Sequence, residues 1–175
     1  MKLVQAALLT GLTTALLFGT APDVSAQFIV GVQGTLADVR SVSAGLGGRL
    51  GYVQPAGGGN DVRLGIEAAY SYYWPDCVGT ECDSSGGQAV LLVSRNFGSG
   101  GGAQSYLGLG ARYQNIKLDG ANPIDDDYWG FLVLFGSSIR TATAVAPFFE
   151  IGWSFMNDIS DIWDFTLGAR FAIGR

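Results

Sequence analysis

Between residues 62 and 74 the chain alternates without a break. Val62, Leu64, Ile66, Ala68, Tyr70, Tyr72 and Trp74 fall on one side, and Arg63, Gly65, Glu67, Ala69, Ser71 and Tyr73 on the other. A period of two is the signature of a strand whose faces meet different surroundings; on a helix the two sets would smear around the axis. The final segment repeats the pattern, with Trp163, Phe165, Leu167, Ala169, Phe171 and Ile173 opposite Asp164, Thr166, Gly168, Arg170 and Gly174. So do Leu107, Leu109, Ala111 and Tyr113 opposite Gly108, Gly110, Arg112 and Gln114, and Phe149, Ile151, Trp153 and Phe155 opposite Phe148, Glu150, Gly152 and Ser154. From 128 to 140, Trp129, Phe131, Val133, Phe135 and Ile139 form the apolar face, although Leu132 and Leu134 blur the other. Phe28 to Thr35, Ala44 to Val53 and Gln88 to Phe97 complete the set; the run Val90–Val93 carries no face assignment. Eight strands joined by turn-rich stretches, with no helical pattern between them, predict an all-β, antiparallel up-and-down meander that closes as an eight-stranded barrel.

Residues 1–26 are set apart from this pattern. Met1-Lys2 gives a positive start, Ala6 to Phe18 is almost uninterruptedly apolar, and Val24-Ser25-Ala26 resembles a cleavage site. This predicts a secretory signal peptide over 1–26 and a mature barrel domain over 27–175. The apolar stretch falls short of the roughly 20 residues that a membrane-spanning helix needs, and no later run reaches that length. Strands of about ten alternating residues can still cross a bilayer as a barrel.

Whether the apolar face points inward, as in a soluble barrel, or outward into lipid is decided by the opposite face. That face is built of Gly, Ala and Ser with isolated charges at Arg49, Arg63, Glu67, Arg112, Glu150, Asp164 and Arg170. A water-facing surface carries dense long polar side chains. Small residues beside single charges suit the cramped lumen of an eight-stranded barrel, so these seven residues are expected to pair across strands as a salt-bridged plug. Aromatic residues gather at strand ends, as bilayer interfaces favour. Tyr72, Trp74, Tyr113, Trp129, Trp153, Phe155 and Trp163 lie toward one rim; Phe28, Tyr52, Phe97, Tyr106, Phe149 and Phe171 lie toward the other. The connections on the tryptophan side are expected to be the longer, outer ones, at Pro75–Gly87 and Lys117–Asp127. They hold most of the acids: Asp38, Asp76, Glu81, Asp83, Asp119, Asp125, Asp126, Asp127, Asp158 and Asp161, countered there by Arg40 and Lys117.

With these features the chain resembles the small outer-membrane β-barrel proteins of Gram-negative bacteria, the eight-stranded group that includes the membrane domain of outer membrane protein A and its short relatives. The likeness covers residues 27–175 and rests on the leader, the eight strands, Gly48-Arg-Leu-Gly-Tyr52, Leu107-Gly-Leu-Gly-Ala-Arg-Tyr113 and Phe165-Thr-Leu-Gly-Ala-Arg-Phe171. The resemblance implies a monomer in the cell outer membrane, in contact with outer-membrane lipid and lipopolysaccharide and inserted by the outer-membrane assembly machinery. The chain departs from the group in ending Ile173-Gly174-Arg175 rather than on an aromatic residue.

Composition narrows the chemistry. The 175 residues are 48% apolar and 14% charged, with 27 Gly, no His and a net charge of −5. Without histidine, triad hydrolysis and His-ligated zinc are excluded. The lipid A acylases and deacylases of similar size use histidine, so a non-enzymatic barrel is expected. The acidic balance, with two Lys in the chain, excludes a nucleic-acid surface. Cys77 and Cys82 share the same expected outer loop, and in an exported chain they predict a disulfide. Asp125-Asp126-Asp127 with Asp119 lacks the ligand spacing of a calcium loop and reads as a solvated acidic rim; no metal or cofactor is expected. The functional expectation is a structural or surface-interacting outer-membrane barrel. The alternatives are a small passive pore, or a soluble exported barrel that binds an apolar ligand, for which no early Gly-x-Trp start is present.

Overall fold

A computed structural model describes residues 27–39, 41–56, 62–75, 77, 82–97, 102–119, 123–139 and 145–173. The expected signal peptide, Arg40, Asp76 and Glu81 lie outside the described residues. Eight strands form one closed antiparallel barrel in sequence order. They are β1 (Gln27–Val39), β2 (Ser41–Pro55), β3 (Val62–Trp74), β4 (Cys82–Phe97), β5 (Ala103–Leu118), β6 (Ile124–Ile139), β7 (Val145–Met156) and β8 (Ile162–Ile173). β8 returns to β1, with Phe28 opposite Ile173 and Thr35 opposite Thr166, so no edge is left along the barrel wall.

The alternation seen in the sequence becomes an inside-out distribution. Leu46, Leu50, Leu91, Leu107, Phe131, Ile151 and Leu167 are exposed on the exterior, while Arg49, Glu67, Arg112, Glu150, Asp164 and Arg170 are buried in the lumen. β4, which the sequence leaves unassigned, turns Leu91 and Val93 outward and Val90 and Leu92 inward. Leu132 and Leu134 also point inward, where they join Val90, Leu92 and Tyr106 in an apolar cluster on the β4–β6 side of the lumen. A second cluster of Ala37, Val39, Tyr73, Ile116, Met156 and Ile162, with Tyr128 and Ile159 packed against it, closes the barrel at the end opposite Gln27 and Ile173. We call this the upper end.

Glycine gives the lumen its room. A Cβ at Gly152 would stand 2.7 Å from the Asp164 carboxylate, and one at Gly136 would stand 2.5 Å from the Tyr106 ring. At these positions a buried functional group occupies the space that a side chain would need.

The structure corrects the expectation about connections. β4 starts at Cys82 and β6 at Ile124, so the upper connections span 75–81 and 119–123, and β1 and β2 are joined through residue 40 alone. The lower connections, 56–61, 98–102 and 140–144, are of similar length. Ser84, Ser85, Gly86 and Gly87 read as loop because their side chains favour turns, yet all four pair with β5, opposite Ile116, Asn115, Gln114 and Tyr113. Asp38, Asp83 and Asp125–Asp127 accordingly sit on strand ends, while Asp119, Asp158 and Asp161 lie in connections.

Candidate functional site: the ion-paired lumen and the upper rim

Inward residues of β1–β3, β5, β7 and β8 converge on two charged clusters. In the lower cluster, Arg49 Nη1 donates to Glu67 Oε2 at 2.9 Å and to Glu150 Oε1 at 2.7 Å, and its Nη2 donates to Glu150 Oε2 at 2.7 Å. Arg170 Nη2 donates to the same two carboxylates, at 3.0 Å to Glu67 and 2.7 Å to Glu150. Each glutamate is therefore held by two guanidiniums. Tyr106 Oη donates to Glu150 Oε1 at 2.9 Å and accepts from Arg170 Nη1 at 2.7 Å. The Phe148 ring lies against both cations, with Arg49 Cζ 4.0 Å and Arg170 Cζ 4.4 Å from its centroid. Gln33 accepts from Arg49 Nε at 2.8 Å and donates to Ser71 at 2.9 Å, extending the network across β1–β3.

In the upper cluster Arg112 is ion-paired with Asp164, and its Nη2 donates to Tyr73 Oη at 3.2 Å. Gln114 accepts from Arg112 and donates to Ser84 at 2.7 Å. Gln33, Thr35, Ser71, Gln88, Arg112, Asp164 and Thr166 help line a cavity of about 10 Å³ next to this cluster. That is room for about one water molecule.

Six of the seven charges singled out in the sequence enter these clusters as three arginines against three carboxylates. Arg63 does not. It is half-buried opposite Pro55 and Ser94, toward the lower end, apart from both groups. Buried charges carry a large desolvation cost that only close pairing and added hydrogen bonds offset; the clusters meet that condition through Tyr106, Tyr73, Gln33 and Gln114. Sequence reasoning missed these four polar partners and Phe148. Their signal was parity, since each shares the inward face with a charged residue of its own or the neighbouring strand.

At the exterior, Tyr72, Trp74, Tyr113, Trp129, Trp153 and Trp163 stand around the upper end, and Phe28, Tyr52 and Phe171 around the lower. Rings are in contact at Phe28–Tyr52, Tyr72–Trp74, Tyr113–Trp129 and Trp153–Trp163. Tyr106 departs from the sequence reading. It faces the lumen, 3% exposed, because its neighbour Leu107 takes the outward position.

Above the upper ring the surface turns acidic. Asn115 Nδ2 donates to Asp125 and Asp127 at 2.9 Å each, Tyr113 Oη donates to Asp127 at 2.6 Å, and Lys117 pairs with Asp125 at 3.2 Å. The Asn115 amide, and after it Lys117, hold the Asp125 carboxyl below its ordinary range. Trp153 Nε1 donates to Asp161 at 3.2 Å. Cys77 and Cys82 are disulfide-bonded and pin the β3–β4 connection. No group of metal-ligating side chains is gathered among the described residues.

No family model and no curated protein sequence matches the chain. Solved structures do. Ail, the attachment invasion locus protein of Yersinia pestis, superposes with a TM-score of 0.63 at 13% identity, over 85% of this chain and 97% of its own. Neisserial surface protein A gives 0.56 at 16%, over 86% and 97%. The N-terminal β-barrel domain of Pseudomonas aeruginosa OprF gives 0.56 at 19%, over 85% and 100%. The fold is that of the small eight-stranded outer-membrane β-barrels.

Proposed function

We propose that this chain is a non-enzymatic integral barrel of the cell outer membrane, structural or surface-interacting through its acidic upper end. The observation that carries this reading is the exterior. Leu46, Leu50, Leu91, Leu107, Val32 and Val42 are each about 60–70% exposed, and comparable side chains continue around the wall. In water so large an apolar surface would drive association; in a bilayer it is the surface required. The aromatic rings mark the two interfaces, and the acidic upper end, opposite Gln27 and Ile173, faces outward from the cell. Outer-membrane lipid, lipopolysaccharide and the assembly machinery are the partners this placement implies.

The pore and soluble-binder readings fare less well. Both apolar clusters and both ion clusters occupy the lumen, which favours a plugged barrel over a channel or an apolar ligand cavity. An enzymatic role finds no support in carboxylates that are each clamped by arginine. Ail was solved with the heparin analogue sucrose octasulfate. That ligand class does not carry over, because the aspartates of this rim repel polyanions.

Fractionating cells that express the chain and comparing gel mobility with and without boiling tests the proposal. Recovery in the outer-membrane fraction with a heat-dependent mobility shift is expected. Recovery in the soluble periplasm without detergent would overturn it.

A further inference from the structure

The barrel wall has no edge, but its upper end does. β5 and β6 pair continuously from Ala103–Ile139 up to Leu118–Ile124, and β4 covers β5 over that whole length. On its other side β6 pairs with β7 only as far as Gly130–Met156. One further bond, from Asn157 N–H to Trp129 C=O at 2.8 Å, ends the ladder. The connection that follows, 157–161, turns back toward β8, with Asp158 in the left-handed region at φ 66°. β6 therefore overhangs β7 by residues 124–128, about 16 Å at roughly 3.3 Å per residue.

Antiparallel residues send their N–H and C=O alternately to one neighbour and the other. Trp129 faces the β7 side, so Asp127 and Asp125 present their main-chain donors and acceptors to the same lane, which no strand among the described residues occupies. Their carboxylates stand exposed on the outer face, organised by Asn115 and Tyr113. Asp158 and Asp161 flank the foot of the lane. An open edge is a template for another strand, and charges on it select which strand can pair.

We propose that the overhanging edge of β6 at Asp125 and Asp127 takes up an extended, basic polypeptide segment as an added strand. Asp125 and Asp127 supply four backbone hydrogen-bonding groups, and alternate Lys or Arg side chains of the incoming segment meet their carboxylates. A second copy of this chain is the wrong occupant, because edge-to-edge pairing would bring aspartates into register against aspartates. The inference rests on the surface-interacting role proposed above and names its partner class.

The test uses the full mature barrel refolded in lipid nanodiscs, with an unboiled-gel shift and tryptophan emission reporting on the barrel itself. The probe is a synthetic eight-residue peptide of alternating Lys and Thr. Its controls are the Glu-Thr counterpart and a Lys-Thr peptide methylated at every backbone amide. Amide exchange at Asp125 and Asp127 should slow with the Lys-Thr peptide and with neither control. Asp125→Asn and Asp127→Asn should each weaken binding about threefold, in a salt-sensitive way, as exposed charge pairs do. Asp127→Pro removes a donor aimed at the lane beyond β7, not at β5, and should weaken binding at least about tenfold while the gel shift persists. Three results would overturn the inference: no protection at the two amides, equal binding of the methylated or acidic peptide, or a concentration-dependent dimer through β6. A lost gel shift would instead count against the membrane-barrel reading.

Discussion

The upper ion cluster offers a sharp test of how the lumen is held. Arg112 and Asp164 come from β5 and β8, on opposite sides of the barrel, and their side chains are 3% and 7% exposed. Replacing Asp164 with Leu leaves a buried guanidinium whose nearest remaining partners are the neutral Tyr73, Gln114 and Ser154. Replacing Arg112 with Met leaves the carboxylate facing Gly152. Breaking a buried pair from one side costs about 3–5 kcal/mol, whereas replacing both partners with apolar groups of similar size is close to neutral. The adjoining cavity gives the new methyl groups some room. Each single variant should therefore lose about 3–5 kcal/mol of unfolding free energy, and the double variant about 1 kcal/mol or less, a coupling of several kcal/mol. Urea unfolding in phospholipid vesicles, followed by tryptophan emission and by gel mobility, measures all four corners of the cycle. Singles that cost under 1 kcal/mol, or a double variant that costs the sum of both, would refute the reasoning.

Four further outcomes follow from the same geometry. Gly152→Ala pushes a methyl into the Asp164 carboxylate and should destabilise the barrel by about 1–3 kcal/mol in the same urea assay. In planar bilayers the wild-type barrel should show no large, stable conductance, because apolar and ion-paired layers lie across its lumen; sustained channel openings would contradict this. Asp125 has a lowered pKa, held down first by the Asn115 hydrogen bond and then by Lys117, so its contact with Lys117 persists to lower pH than an ordinary aspartate would allow and is lost as pH falls through the lowered value. An NMR titration of the Asp125 carboxyl should show this, and Asn115→Ala should move the midpoint back up. Both cysteines should react with maleimide only after reduction, and Cys77→Ser with Cys82→Ser should leave the gel shift intact, since the bridge pins one connection and crosses no strand pair.

The exterior was legible in the sequence because an apolar outer wall imposes one requirement on every second residue. β3 and β8 show the period so clearly that their lumen charges could be named outright. Where both faces are apolar, as at Val90–Val93 and at Leu132 and Leu134, the period disappears, and only the closed barrel shows that an apolar cluster fills one side of the lumen. Tyr106 was misplaced because its ring suits an interface as well as a lumen; the outward claim of Leu107 decides the matter. The partners of the ion network were illegible for another reason. Arg49 and Glu150 are 101 residues apart, and their meeting depends on the stagger around the whole barrel. The Ser and Gly residues at 84–87 illustrate the converse limit, since turn-forming side chains do not prevent pairing when ladders on both flanks hold the backbone.

The relation of the apolar exterior to lipid is tested most directly by refolding the mature chain into vesicles whose acyl chains carry bromine at defined depths. Trp74, Trp129, Trp153 and Trp163 all stand outward at one end of the wall. The expected result is strong quenching by bromine near the head-group end of the chains, falling steadily as the label moves toward the bilayer centre. Native-like emission with no quenching at any depth, from a chain that stays monomeric in buffer without lipid, would contradict a membrane-spanning barrel.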